Sequence, residues 1–395
     1  MEIKKNDKFT VPIEDMGEDG AGIGRVDGYI WFVKDALIGD TIEASAMKMK
    51  KNYGFARLVR VITPAKGRVE AKCPVARACG GCQLQELDYK EQLKFKEKKV
   101  YNHLKRIGGM ENLFLPEEAE QAAGVPDAVV MEPIIGMEDP WRYRNKAQYP
   151  VGEDKDGNII MGFYAGHTHS IIPCDDCLLG DENNSVILTA VKQWMKDYRV
   201  RAYNENIHKG TLRHILIRTG FHTDEIMVCL VTKKMLRKEA ADGLVRVIER
   251  LNSGSSASDN ISSGSDNNTS NNSGRKLNIA SLVVNINKED TNVILGRECV
   301  TLYGRPYIED YIGDIKFQIS PLSFFQVNPK QTEVLYNKAL EFANLTGNEA
   351  VWDLYCGIGT ISLFLAKNAG MVYGVEIVPQ AIEDAKNNAG LNGID

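Results

Sequence analysis

The chain has 395 residues, of which 43% are hydrophobic and 26% are charged, as in an ordinary globular protein of two or three domains. Its formal net charge of −5 argues against electrostatic binding of nucleic acid over the whole surface, although a local basic face remains compatible with it. No apolar run approaches the roughly 20 residues that span a bilayer, and the N-terminus lacks the apolar core of an export signal. We therefore expect a cytoplasmic protein without a membrane segment.

Residues 1–63 are predicted to form a small all-β domain. Alternating apolar patterns predict four strands, and the glycine-rich residues 17–25 are predicted to be a turn between the first two. Several short strands at such spacing favour a closed barrel, because closure removes exposed strand edges. The four predicted strands are residues 9–13, 29–33, 40–44 and 55–61.

Basic side chains cluster with an aromatic residue in the second half of this domain. Such a pattern suits a nucleic-acid backbone with stacked bases, and a solvated loop and strand face is the alternative that the residues alone leave open. The residues are Lys48, Lys50, Lys51, Tyr53, Arg57 and Arg60.

Five of the eight cysteines fall in two short clusters, which in a reducing compartment favours metal ligands over disulfides. Cys73, Cys79 and Cys82 can wrap one metal centre from a short loop, and Cys174 or Cys177 can supply a fourth thiolate. Four thiolates hold either a [4Fe–4S] cluster or a zinc ion. Three clustered cysteines and a distant one favour iron–sulfur over zinc. Buried thiols without metal are the remaining alternative, and spacing does not choose between Cys174 and Cys177.

The rest of a central domain, residues 64–317, mixes helices and strands. A lysine-rich helix is predicted within residues 84–107, a hairpin over residues 212–232 and a helix at residues 239–251. Residues 252–274 consist of Ser, Gly, Asn and Asp with almost nothing apolar, so we expect a disordered loop insertion.

The segment WRYRNKAQY, residues 141–149, leads into a predicted strand. Arg142, Arg144 and Lys146 can contact phosphates there. The competing interpretation is a basic edge strand, which protects a sheet against aggregation.

Residues 320–329, SPLSFFQVNP, form a predicted loop stiffened by two prolines. An amide beside aromatic rings suits the edge of an adenine or uracil with a ring stacked over the base. A packed turn before the helix predicted at residues 331–343 is the alternative.

Residues 350–376 predict the start of a doubly wound α/β domain, in which ligands bind at the carboxyl ends of the strands. A short apolar run leads to the turn with Gly357 and Gly359, then to a helical pattern and to a second apolar run that ends on Glu376. A carboxylate at that place can accept both hydroxyls of a ribose. The motif D-L-Y-C-G-x-G-T followed by G-V-E resembles the S-adenosylmethionine site of class I methyltransferases. A dinucleotide site is less favoured, because Ser362 replaces the third glycine and Asp353 precedes the turn.

Two resemblances combine these parts. G-x-G-I-G-R-x-D-G-Y resembles the TRAM domain, an OB-like RNA-binding barrel. The whole series of motifs resembles the RNA (uracil-5-)-methyltransferase family, in particular its iron–sulfur branch acting on 23S ribosomal RNA. Its members here are C-x5-C-G-G-C-Q-x-Q, R-Y-R-N-K, G-F-Y, L-R-H-I-x-I-R, S-P-x-S-F-F-Q-V-N and the segment that contains the glycine turn.

The resemblance implies a multidomain protein: an OB-like barrel, a central α+β domain with an iron–sulfur site, and the first part of a Rossmann-like class I methyltransferase domain at residues 318–395. It also implies a monomer that binds 23S ribosomal RNA. S-adenosylmethionine is implied at Gln326, Tyr355, Thr360 and Glu376. The [4Fe–4S] cluster is implied on Cys73, Cys79, Cys82 and Cys177, since the family's fourth cysteine precedes an apolar pair.

Family members methylate C5 of uridine after a cysteine thiolate has added to C6, and a carboxylate then removes the C5 proton. The resemblance implies that this cysteine and the glutamate base lie beyond Asp395, so that no catalytic residue is assigned and we expect no activity from the 395 residues alone. Cys356 lies in the cofactor turn and is not a substitute. A transfer RNA uracil-5-methyltransferase and a noncatalytic RNA-binding iron–sulfur protein are the alternatives.

Overall fold

The computed structural model describes residues 3–166, 168–254 and 275–394. The chain forms two compact units, one of Met1–Pro140 with Ala165–Thr168 and the other of Trp141–Tyr164 with His169–Asp395. No helix in these described ranges is long and apolar enough to cross a membrane.

The first unit begins with a closed five-stranded barrel, in the order β1-β2-β3-β5-β4. The pairing of β3 with β5 is parallel and the other pairings are antiparallel. The buried Trp31 and Val33 of β3 pack in the barrel interior against apolar side chains of the other strands. The strands are β1 (Lys8–Met16), β2 (Gly22–Val26), β3 (Tyr29–Lys34), β4 (Thr41–Met49) and β5 (Tyr53–Thr63).

The prediction of a turn over all of residues 17–25 is wrong, because β2 occupies its second half. The glycines allow close packing between strands here. A Cβ on Gly24 would lie 2.3 Å from the carbonyl oxygen of Pro12 on β1, so only glycine fits this strand pair.

The remainder of the first unit is a long helix with short elements around it. The Asp88 side chain caps the helix by accepting a hydrogen bond from the Lys90 amide. The elements are α1 (Tyr89–Arg106), β6 (Leu113–Phe114), a 3-10 turn (Pro116–Glu118), α2 (Ala119–Ala122) and β7 (Val129–Val130).

The second unit is built on a seven-stranded sheet in the order β10-β9-β8-β11-β12-β13-β14. Helices α3 (Asn183–Asp197) and α4 (Lys238–Ser253) cover one face and bury the largest core of the chain. The predicted hairpin is confirmed as β11 and β12. The strands are β8 (Lys146–Glu153), β9 (Ile159–Tyr164), β10 (Ile171–Pro173), β11 (Leu212–Thr219), β12 (Ile226–Thr232), β13 (Ile279–Ile286) and β14 (Glu298–Gly304).

Strand β8 lies between β9 and β11, so the interpretation as an edge strand is wrong for the strand as a whole. Among the described residues, strand β9 pairs only with Val151–Glu153, so the interpretation stays a prediction for Lys146 at the start of β8. The predicted disordered insertion also begins too early. Asn252 ends α4 in an ordered contact, since its side chain both donates to the Ile279 carbonyl and accepts from the Ile279 amide. Residues 255–274 of that prediction lie outside the described residues.

The last part of the second unit contains the predicted strand–turn–helix–strand. Strands β17 and β18 pair in parallel, as the sequence predicts. The Asn388 and Asn392 side chains of α7 accept hydrogen bonds from the backbone of β16, so this helix is joined to the β15–β16 hairpin. The elements are β15 (Ile308–Ile312), β16 (Ile315–Ile319), α5 (Pro329–Ala343), β17 (Ala350–Asp353), α6 (Thr360–Ala366), β18 (Met371–Gly374) and α7 (Pro379–Leu391).

Candidate functional site

The glycine turn between β17 and α6 forms a tight elbow at the carboxyl end of its strand. Gly357 and Gly359 have φ values of +55° and +84°, in the left-handed region that glycine adopts without strain. A Cβ built on Gly357 would meet no atom within 4 Å, so the elbow borders open space rather than packed protein. This is the place where a ligand can approach the backbone of an α/β sheet.

Glu376 follows β18 and reaches across to the elbow. One carboxylate oxygen accepts a hydrogen bond from the Gly357 amide at 3.2 Å and the other accepts one from the Val378 amide at 2.8 Å. The Val375 amide donates to the Asp353 carbonyl at 2.8 Å, which ties the two strand ends together. The carboxylate therefore stands at the carboxyl edge of the parallel pair, where the sequence predicts a ribose acceptor.

The side chains around the elbow hold its shape. An oxygen of Asp353 accepts from the Ser362 hydroxyl at 2.6 Å, and the Thr360 hydroxyl lies 2.9 Å from that of Tyr336 on α5. Tyr355 is 91% exposed and thus presents a free aromatic ring beside the turn. Three of the four predicted cofactor residues, Tyr355, Thr360 and Glu376, are brought together by the elbow and the adjacent strand end.

Cys356 lies in the elbow but does not have the properties of a nucleophile. Its side chain is buried, and burial raises the pKa of the thiol, with the nearby Asp353 and Glu376 carboxylates acting in the same direction. A thiol of this kind is inert at neutral pH, since the thiolate is the reactive form.

The fourth predicted cofactor residue, Gln326, is half-buried on the loop that precedes α5. Two residues hold this loop: Asn145, which immediately precedes β8, and Arg218 of β11. Asn145 donates from its side chain to the Gln326 carbonyl and from its backbone to the Val327 carbonyl, both at 2.9 Å. Arg218 donates to the Ser323 carbonyl at 2.9 Å. The loop is therefore pinned on both sides of its aromatic pair.

The two rings of that aromatic pair lie in different environments. Phe325 is 1% exposed and packs against Phe317 with ring centroids 5.8 Å apart, whereas Phe324 is 66% exposed. The loop thus presents one ring and the Gln326 amide while the other ring anchors it. Asn145 and Arg218 lie in the motifs R-Y-R-N-K and L-R-H-I-x-I-R, but no local pattern in the sequence indicated their roles.

The predicted metal ligands lie in two separate segments. Cys73, Cys79 and Cys82 belong to the first unit and Cys177 to the second, and each has a half-buried side chain that forms no disulfide. The Gly81 amide donates to the Cys79 sulfur at 3.3 Å, as amides do towards thiolate ligands. Across residues 3–166, 168–254 and 275–394, no three Cys, His, Asp or Glu side chains are close enough to hold a metal ion.

A second candidate surface lies on the barrel of the first unit. Phe32, Tyr53 and Phe55 contact one another with ring centroids 5.7 or 5.8 Å apart, and Tyr53 and Phe55 are 39% and 40% exposed. Lys48 pairs with Phe55 across β4 and β5, and Arg57 follows two residues later on the same face. Of the predicted basic residues, Arg60 is occupied by an ion pair with Glu43 at 3.1 Å.

Residues 4–59 match the TRAM domain family. Two relatives, each named an uncharacterized RNA methyltransferase, match nearly the whole chain. The relative from Halalkalibacterium halodurans is 47% identical over 391 residues, which are 99% of this chain and 76% of that protein. The relative from Clostridium tetani is 44% identical over 393 residues, which are 100% of this chain and 76% of that protein. The chain belongs to the RNA methyltransferase family.

A solved structure has the same fold. It is the tRNA (uracil-54, C5)-methyltransferase of Pyrococcus abyssi in complex with S-adenosyl-L-homocysteine, with a TM-score of 0.67 and 23% identity, covering 98% of this chain and 77% of that one. This confirms the fold class for the barrel and the methyltransferase domain of this RNA methyltransferase.

Proposed function

We propose that the protein uses S-adenosylmethionine to methylate C5 of a uridine in RNA, with 23S ribosomal RNA as its substrate. The observation that carries this proposal is the glycine elbow with the Glu376 carboxylate held beside it, at the carboxyl ends of two parallel strands. S-adenosylmethionine supplies an electrophilic methyl group when it is bound.

The residues at the elbow fit this cofactor. Glu376 accepts hydrogen bonds from the two ribose hydroxyls. The open space beside Gly357 leaves room for the part of the ligand that lies against the protein backbone. Tyr355 offers an exposed ring to the adenine, and Thr360 orients its hydroxyl through Tyr336. A pyrophosphate has no special partner here, because the elbow lacks the third glycine of the dinucleotide motif.

The loop before α5 fits a pyrimidine base. The exposed Phe324 ring can stack over a base that has left its helix. The Gln326 amide, which the family resemblance assigns to S-adenosylmethionine, also offers a donor and an acceptor to the edge of a base beside the cofactor. Asn145 and Arg218 stiffen the loop, so these groups are positioned before the substrate binds. An enzyme that acts on a base atom inside folded RNA must take the base out of its stack.

The barrel supplies sequence-tolerant contact with RNA. Three aromatic rings beside Lys48 and Arg57 form a platform of the kind that stacks unpaired bases and pairs with phosphates. The local basic face explains how a chain with a net charge of −5 binds a polyanion.

The proposal for the cysteines rests on their spacing and on the family resemblance. We expect protein purified without oxygen to be brown and to contain about four iron and four sulfide per chain, by chemical analysis of both. Cys79→Ser should lose both together, whereas Cys299→Ser, which changes an exposed cysteine outside the two clusters, should keep them. Stoichiometric zinc in a colourless protein would overturn this assignment.

Mapping 5-methyluridine tests the function as a whole. Deletion of the gene in its host should remove 5-methyluridine from 23S ribosomal RNA, as measured by mass spectrometry of the isolated RNA, and the wild-type gene should restore it. Transfer RNA is the second candidate substrate, because the structural relative from Pyrococcus abyssi is named for it. Loss of 5-methyluridine from transfer RNA alone would favour that candidate, and unchanged levels in both RNAs would refute the proposal.

A further inference from the structure

Three basic residues lie near one another in the second unit, and none of them forms an ion pair with an acidic residue among those that the structure describes. Lys146 of β8 stands directly opposite Arg218 of β11 in the antiparallel register, so the two side chains project from the same face of the sheet. Arg144 precedes Lys146 by two positions in the chain. Among the described residues, neither Lys146 nor Arg144 has a side-chain hydrogen bond or an ion pair.

The neighbouring Arg142, by contrast, has hydrogen-bond and ion-pair partners within the protein. Its guanidinium binds both carboxylate oxygens of Asp176 at 2.6 Å and also donates to the Cys177 and Gly180 carbonyls. Of the three cations predicted to contact phosphates, Arg142 is thus the one that is paired with a carboxylate of the protein.

Arg218 adds a buried positive charge to this site. It is buried, and among the described residues its side chain donates a hydrogen bond to the Ser323 carbonyl while Nε and Nη1 have no partner. A buried cation without a counter-ion is costly, and its field acts strongly through the surrounding low dielectric. Lys146 stands opposite Arg218 and is only half-buried, so an anion can approach the two cations at this place.

Burial and the neighbouring cations both act on the amine of Lys146. Burial, followed by repulsion from Arg218 and then from Arg144, lowers the pKa of Lys146 to about 8. Both charges that shift the pKa of this amine belong to cations.

We propose that Lys146 and Arg144, backed by the buried charge of Arg218, bind a phosphodiester of the RNA strand beside the loop that carries Phe324 and Gln326. This inference rests on the proposed function, since it names the part of the RNA that this face receives. Arg218 links the two features directly, because it holds the same loop through Ser323. Binding of the phosphate at this site therefore fixes the position of the RNA strand relative to the loop.

Binding of a labelled single-stranded octaadenylate, followed by fluorescence anisotropy at several salt concentrations, tests this site. Lys146→Gln should weaken binding about tenfold at low salt and reduce the salt slope by about 0.7, the value for one phosphate contact on a single strand. Arg144→Gln should act in the same direction. Lys192→Gln, which changes a half-buried lysine of α3 on the opposite face of the sheet, should bind like the wild type.

A pH series separates the charge of Lys146 from a merely structural role. The protonated amine binds the phosphate, so wild-type affinity should fall as the pH rises from 7 to 9.5, a range in which adenine does not titrate. Lys146→Arg should bind well throughout, because arginine stays charged. Unchanged affinity in both the Lys146→Gln and Arg144→Gln variants would overturn the proposal. Competition with unlabelled inorganic phosphate provides a second check. If inorganic phosphate displaced the labelled octaadenylate as effectively as unlabelled RNA at the same phosphate concentration, this would be a site for free anions and the proposal would be overturned.

S-adenosylhomocysteine titration distinguishes this failure from failure of the proposed function. The Lys146→Gln variant should keep the wild-type affinity for S-adenosylhomocysteine, since the elbow is not altered. A wild-type protein that binds octaadenylate but not S-adenosylhomocysteine would refute the proposed function and leave the phosphate site standing.

Discussion

Replacing Glu376 by alanine is expected to weaken binding of S-adenosylhomocysteine roughly ten- to hundredfold, the usual effect of losing hydrogen bonds to a charged group. The carboxylate is the acceptor that the two ribose hydroxyls require, and it is already held in place by the Gly357 and Val378 amides. Isothermal titration calorimetry on the purified chain measures the change. Glu376→Gln should have an intermediate affinity, because it retains one acceptor oxygen and loses the charge.

Glu349 provides a matched control for this change. It precedes β17, at the end of the β17–β18 pair opposite to Glu376, and its carboxylate accepts hydrogen bonds from the Thr346, Gly347 and Asn348 amides. Glu349→Ala therefore removes a loop-holding carboxylate of the same kind, far from the elbow. If the two alanine variants lost equal affinity, the effect would be one of loop stability and Glu376 would not be a ribose ligand.

Local patterns were sufficient to predict the elements that lie close together in sequence. The parallel pair β17–β18, the helix between them and the β11–β12 hairpin follow from short apolar runs and turn residues. The barrel was predicted with one strand too few, because glycines that allow close strand packing have the same composition as a turn. Composition also placed Asn252 in a loop, where a long-range contact with Ile279 in fact extends the helix.

The candidate site was predictable only in part for the same reason. Glu376 and the elbow lie within one βαβ segment, so their spacing carries the information. Asn145 and Gln326 are 181 positions apart, and Arg218 and Ser323 are 105 apart, so no local pattern relates them. The three-dimensional structure converts two motifs without an assigned role into the support of the loop that faces the substrate.

The stability of that loop should depend on Phe325 and not on its neighbour Phe324. Phe325 is 1% exposed in a cluster with Phe317 and the isoleucines of β15 and β16, so Phe325→Ala removes a large buried side chain. We expect a loss of about 3–5 kcal/mol in the free energy of unfolding of the second unit and a decrease on the order of 10 °C in its Tm. Circular dichroism during heating measures the transition.

Phe324→Ala is the matched variant, with the same residue type at the adjacent position. Because that ring is 66% exposed, its removal should change the free energy of unfolding by less than about 0.5 kcal/mol. The same variant should restore less 5-methyluridine to the deletion strain than the wild type does, since a stacking ring is missing. Equal destabilisation by the two changes would mean that the exposed ring also packs within the protein, and Phe324 would then be unavailable to a base.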